Sequence, residues 1–200
     1  GARLQCEGMK RRVVITGLGV ISSVGSGWKE FWDGLLKGRS GIGPISSFDT
    51  TNHFTRNGGE VRGFRPEAFM PADLAERSSR ATQLALAATG LAVEDARLDP
   101  GGLSSVEAGT CIGTTMGSVQ TVEEIDEMLV RGTGTPGRDL ICRVPTHSTS
   151  SAISETYNLK GPSMMFSTAC AAGNYAIGYG FDLIRSGRAD LIIAGGAEPL

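Results

Sequence analysis

Short unbroken apolar runs and longer helix-period stretches alternate along this chain. Residues 12–17, 106–112, 164–168 and 190–196 are compact runs rich in Val, Ile, Leu, Met or Phe, bounded by Gly, Pro, Ser or Asp. Runs of that length and make-up predict buried β-strands. Between them the period changes. Trp28, Phe31, Trp32, Leu35 and Leu36 recur at helical spacing within residues 28–37. Thr82, Leu84, Ala85, Ala88, Leu91 and Ala92 do the same within an Ala-rich stretch, 79–96. Residues 119–130 predict an amphipathic helix whose acidic face carries Glu123, Glu124, Asp126 and Glu127. Residues 148–157 and 170–185 also read as helices, the last ended by Ser186 and Gly187. Pro71, Ala72 and Asp73 open a further helix. Residues 38–69 read as loops with one or two short strands near 59–61, and residues 131–145 as a long flexible segment. Strand–helix alternation of this kind predicts an α/β sheet with helices on its faces.

Composition narrows the class. The chain has 200 residues, 40% of them hydrophobic, with a formal net charge of −2. That is enough for one domain with a core, and it excludes a disordered chain. No apolar run approaches the roughly 18 residues of a membrane span. With no basic stripe, nucleic acid is disfavoured as a partner. Four cysteines, Cys6, Cys111, Cys142 and Cys170, form no C-x-x-C pair, and His53 and His147 are far apart in sequence. Neither a zinc site nor a disulfide framework is expected, nor any metal or cofactor. Residues 1–8, ahead of Met9, read as a leader or cloning remnant, and a reducing cytoplasmic setting is the default expectation.

Cys170 is the leading chemical candidate. It stands where the apolar run ends and a helix-like run begins. Free backbone N–H groups at a helix mouth stabilise a thiolate and an oxyanion formed beside it. One buried turn would then offer both a nucleophile and part of an oxyanion hole. The alternative is a structural cysteine in the core, the commoner fate of a lone Cys. In the helix that follows, Ala176, Gly180 and Ile184 form one stripe, with Ile177 and Phe181 beside it. Its small, apolar make-up predicts burial in the middle of the domain. Gly17 and Gly19 follow a strand-like run, but Ser22 replaces the third glycine of a dinucleotide fingerprint, so a tight turn is favoured. Residues 113–117 read as a turn lining a pocket with Met116; the rival reading is Met116 as core filler.

Four segments taken together resemble the β-ketoacyl-acyl-carrier-protein synthases of the I/II type, also called condensing enzymes. They are residues 9–25, the turn from Gly113 to Glu124, the approach from Gly161 to Cys170, and the strand from Ala189 to Glu198. The resemblance covers residues 9–200 in order. It implies the N-terminal half of a thiolase-like α/β fold, with a mixed five-stranded sheet and helices on both faces. It also implies acyl transfer to Cys170, whose own N–H is an oxyanion donor, followed by decarboxylative condensation in fatty-acid or polyketide assembly. Met116 matches the position that shapes the acyl tunnel. Substrates would ride on the phosphopantetheine of an acyl carrier protein, although of the basic docking residues only Arg77 fits. Ala171 and Ala172 stand where relatives commonly have a hydroxyl residue. A homodimer, or pairing with a synthase-like partner, is implied through the strand before Cys170. The family's two catalytic histidines and lysine have no counterpart in residues 1–200; His53 and His147 do not match them. The isolated 200 residues are therefore expected to be inactive and to leave an apolar face uncovered. The alternative is a non-catalytic chain-length-factor type of subunit paired with an active homologue; a third reading is an acyltransferase that forms no carbon–carbon bond.

Overall fold

The computed structural model of the chain describes residues 11–199, so the expected leader at 1–8 and Cys6 lie outside the described residues. In chain order the helices are α1 (Trp28–Leu36), α2 (Ala72–Arg77), α3 (Arg80–Asp95), α4 (Val119–Arg131), α5 (Arg138–Cys142), α6 (Ser148–Thr156) and α7 (Ala172–Arg185). The strands are β1 (Gly43–Pro44), β2 (Asn57–Gly58), β3 (Ala108–Gly113), β4 (Ser163–Phe166) and β5 (Leu191–Gly196).

β3 is the axis of the domain. It pairs in parallel with β4 on one side and β5 on the other, giving the order β4–β3–β5. All six of its residues are buried. Alternate side chains on a strand face opposite ways, and each face of β3 meets its own helical layer. Ala108 and Ile112 join Leu86 of α3 and Ile153 of α6 in one core. Cys111 faces the other way and packs with Ala176 and Leu183 of α7.

Helix ends follow local chemistry. Ser79 caps α3, its Oγ accepting the Thr82 N–H at 3.3 Å, which satisfies one of the donors a helix start leaves open. Ala81, Ala85 and Ala87 then sit within the core. Across α3 and α6, Thr82 and Thr149 share a buried hydroxyl hydrogen bond of 2.9 Å, so these two polar side chains are paired rather than stranded.

Several expectations are corrected. The described residues contain a three-stranded parallel sheet and a separate antiparallel β1–β2 pair, not a mixed five-stranded sheet. Residues 12–17 run extended with no strand partner, leaving Val14 and Ile15 72% and 80% exposed. That segment is held by α3 instead. A Cβ on Gly17 or Gly19 would lie 2.2 Å from the Ala92 carbonyl oxygen or 1.8 Å from that of Ala88. The Leu18 N–H donates to Asp95 Oδ2 at 2.9 Å. The Gly-x-Gly therefore serves close approach to a helix. Within the segment expected to be wholly flexible, α5 forms one short helix. α7 is not buried all round: Ala176, Gly180 and Leu183 face the sheet, but Ile177 is 51% exposed and Tyr175 and Phe181 are exposed with it. The stripe reading located one buried side and overextended it to the whole helix.

These uncovered apolar side chains exceed the scatter of single exposed residues usual on a monomer. Residues 1–200 alone are expected to self-associate or to bind a hydrophobic dye. Light scattering coupled to gel filtration checks this; a monodisperse monomer would contradict it.

Candidate functional site

The three parallel strands end together. Gly113 is in register with Phe166 of β4 and Gly196 of β5. Beyond that line the Thr114 N–H donates to the Phe166 carbonyl at 2.9 Å, and the Ala197 N–H to the Gly113 carbonyl at 3.0 Å. Three connections leave from this edge: 114–118 toward α4, 167–171 toward α7, and 197–199 after β5. In parallel sheets this carboxyl edge is where ligands are received.

Cys170 lies on the middle connection, in a 3-10 turn at Ala169–Ala171 directly before α7. Ala169 has φ 51°, a left-handed conformation. For a residue with a Cβ that costs about 1–2 kcal/mol. The chain thus turns sharply from strand to helix and presents Cys170 outward. The arrangement has the logic of a nucleophile elbow, in which a strained strand-to-helix turn exposes the attacking side chain. One expectation is corrected: the turn is exposed, Cys170 included, and not buried.

Missing side chains let α7 begin so close to the sheet. A Cβ on Gly113 would lie 2.3 Å from the carbonyl carbon of Ala172 and 2.6 Å from the Gly173 nitrogen. A Cβ on Gly196 would meet Gly173 Cα at 3.3 Å. With glycine at these positions the first turn of α7 rests on the strand ends, and the positive end of its dipole lies beside the Cys170 turn, where the Ala171 and Ala172 N–H groups already donate to the Thr168 and Ala169 carbonyls.

Met116 occupies a neighbouring connection and is 62% exposed. Its backbone is fixed by a residue that sequence reasoning quoted but gave no role, Glu198. The Glu198 carboxylate accepts hydrogen bonds from the Met116 N–H (3.1 Å), the Thr114 hydroxyl (3.0 Å) and the Thr115 N–H. The available signal was an acid closing an apolar strand opposite two adjacent threonines. Glu198 also lines a hollow of about 540 Å³ with Arg80, Leu84 and Gln120.

The other candidates are engaged differently. His53 meets Phe48 edge-on, ring centroids 5.4 Å apart. His147 precedes α6 and lines a hollow with Asp139 and Cys142. Cys142 is exposed, whereas Cys111 is fully buried and its thiol is pushed up to about 11 by desolvation.

Comparison with known proteins agrees with this architecture. The chain matches the family described as β-ketoacyl synthase, N-terminal domain, over residues 10–200. It is 37% identical over 190 residues to 3-oxoacyl-[acyl-carrier-protein] synthase 2 of Synechocystis, covering 94% of this chain and 46% of that protein. Among solved structures, the ishigamide ketosynthase/chain length factor superposes with a TM-score of 0.88 at 38% identity, covering 96% of this chain and 48% of that one. A type II polyketide acyl-carrier protein in complex with its ketosynthase superposes at 0.77 and 27% identity, covering 94% and 45%. The family match runs over nearly the whole chain, and the chain belongs to the β-ketoacyl synthase family. It spans about half the length of the curated relatives it matches.

Two measurements follow from the thiols. In the native complete gene product, iodoacetamide at pH 8 should alkylate Cys142 and Cys170 and spare Cys111, as read by peptide mass spectrometry. Burial favours the protonated Cys111 thiol in the folded state alone. Its contribution is therefore whole below pH 9.0 and is lost as pH rises toward 11. The urea midpoint should fall across that window, and Cys111→Ala should flatten the fall. Gly113→Ala should cost about 1–3 kcal/mol by overpacking, measured by urea unfolding, and should alter the Cys170 alkylation rate by displacing α7.

Proposed function

We propose that this chain is the nucleophile-bearing half of a decarboxylating condensing enzyme acting on acyl thioesters in fatty-acid or polyketide assembly. The observation that carries this reading is Cys170, exposed on a strained turn at the mouth of α7 and above the carboxyl edge of the sheet. The Cys170 sulfur attacks the carbonyl of a carrier-bound acyl thioester, and the carrier thiol leaves. The tetrahedral oxygen is received by backbone N–H groups of the Cys170 turn, a contribution that such donors commonly make worth about 10²–10³ in rate. A carrier-bound malonyl unit loses carbon dioxide, and its carbanion attacks the acyl-cysteine, releasing the sulfur.

Met116 shapes the acyl channel. Residues 9–200 then form the N-terminal half of a thiolase-like domain. The histidines and lysine that assist decarboxylation would come from a C-terminal half or from a partner chain. An acyl carrier protein delivers substrate, as supported by the related ketosynthase described in complex with one. A homodimer through β4 fits the edge position of that strand. Within the described residues no helix is long and apolar enough to cross a membrane.

A second reading has its own support, because the similar ishigamide protein pairs a ketosynthase with a chain length factor. In that role this chain would shape a pocket for an active partner. The retained Cys170 favours the enzyme.

Incubating the complete gene product with a radiolabelled acyl thioester should place the label on Cys170. Cys170→Ala should lower condensation by about 10³-fold or more, the scale on which removal of a nucleophile acts. Label on other thiols alone would refute the catalytic role, and unchanged turnover of Cys170→Ala with a partner present would favour the subunit reading.

A further inference from the structure

We propose that Glu198 is a positioning residue that sets the Met116 turn, and through it the length of acyl chain the site accepts; this rests on the reading of Cys170 as the acyl acceptor. The connection after β3 presents three donors to one side: the Thr114 hydroxyl and the N–H groups of Thr115 and Met116. Successive N–H groups converging in a turn form a concavity suited to an anion. Here its occupant is supplied by the chain itself. Both Glu198 oxygens are used, Oε1 on Met116 and Oε2 on Thr114 and Thr115.

The clamp spans two strands. Gly113 and Gly196 are register partners, so residues 114–116 and Glu198 lie just beyond the same line on adjacent strands. A carboxylate there fastens the end of β5 to the connection leaving β3. The turn has a second stop on its other side. Thr114 is buried, and its hydroxyl also receives the Gly117 N–H at 3.0 Å. A Cβ at Gly117 would lie 2.8 Å from Thr146 Cγ2, next to the start of α6. Between these constraints the backbone of Met116 is fixed while its side chain stays exposed. An adaptable thioether on a fixed backbone selects by shape; on a loose backbone it would yield to longer chains.

The requirement is specific to a carboxylate of this length. In Glu198→Gln the amide oxygen can still accept from Thr114 and Thr115 while the NH2 group faces the Met116 N–H, so that variant should lose the Met116 contact and fall between wild type and Glu198→Ala. Glu198→Asp keeps the charge on a shorter arm and should restore part of it.

The test uses the complete gene product, wild type and all three variants, each confirmed folded by its thermal transition. Hydrogen exchange should show the Thr115 and Met116 amides protected in the wild type. In Glu198→Ala both should exchange roughly tenfold faster, the scale of one lost hydrogen bond to a charged group, and in Glu198→Gln the Met116 amide alone. Cys170 acylation is then followed by mass spectrometry with a short and a long acyl-pantetheine thioester. The long-to-short ratio of acylation efficiencies should change about tenfold, as expected for a reshaped apolar pocket, with partial recovery in Glu198→Asp. Faster exchange with an unchanged ratio would reduce Glu198 to a structural tie and overturn the proposal. Unchanged exchange in both variants would overturn the clamp itself. Failure of wild-type Cys170 to accept either thioester is a different result: it removes the reading of the site, and the acyl-selecting role with it.

Discussion

The whole arrangement rests on how closely the first turn of α7 settles onto the ends of β3 and β5. Gly113 and Gly196 have no side chain where the backbone of Ala172 and Gly173 passes, and any Cβ on Gly113 would overlap it. Because the helix starts so low, the chain leaving β4 at Phe166 must reverse before Ala172. Ala169 accomplishes the reversal in a left-handed conformation. A residue pays for that conformation only where its surroundings hold it. Here the hold comes from α7, anchored by Ala176 and Leu183 against Cys111. Packing on one face of the sheet thereby fixes the direction of a side chain at its edge.

The same edge is tied a second time, by different chemistry. Cys170 owes its position to close van der Waals packing, Met116 to a carboxylate gripping backbone donors. Both connections leave the sheet within one residue of the Gly113 register line. Two groups placed independently on a common rigid base keep their relation without touching each other, as the roles proposed for Cys170 and Met116 require. Exposure on the far side of α7 and along residues 12–17 completes the picture of a half-domain, with apolar residues facing outward where a globular surface would be polar.

Much of this was legible from the pattern of residues, and the parts that were not share a cause. The helices at 28–37, 79–96, 119–130 and 148–157 were readable because their period is local. The strands at 106–112, 164–168 and 190–196 were readable because each is a short continuous apolar run, although only β3 is buried on both faces. Residues 12–17 carry the same run but lie against α3, a contact no local pattern encodes. The all-round burial expected of α7 failed similarly: its stripes told which residues are apolar, not which side meets a neighbour. At the site, Cys170 stood out because a cysteine at a strand–helix junction is a local signal. Glu198 was invisible as a participant because its partners are more than 80 residues away in sequence. What joins them is strand register, which the order of residues does not state.

Exposure alone does not single out Cys170, since Cys142 is equally a free, exposed thiol. The difference lies in the backbone around each. Cys142 is the last residue of five-residue α5, where a helix offers unpaired carbonyl oxygens. Those would repel the oxygen that turns anionic when a thiolate adds to a thioester. Cys170 precedes fourteen-residue α7 and so adjoins the positive end of that helix's dipole. The reaction that makes a tetrahedral anion is helped at one thiol and opposed at the other by nothing more than which end of a helix each adjoins. Packing at Gly113 and Gly196 presses the favourable end onto the sheet edge. What sets Cys170 apart is thus the junction between α7 and the sheet, not the thiol as such.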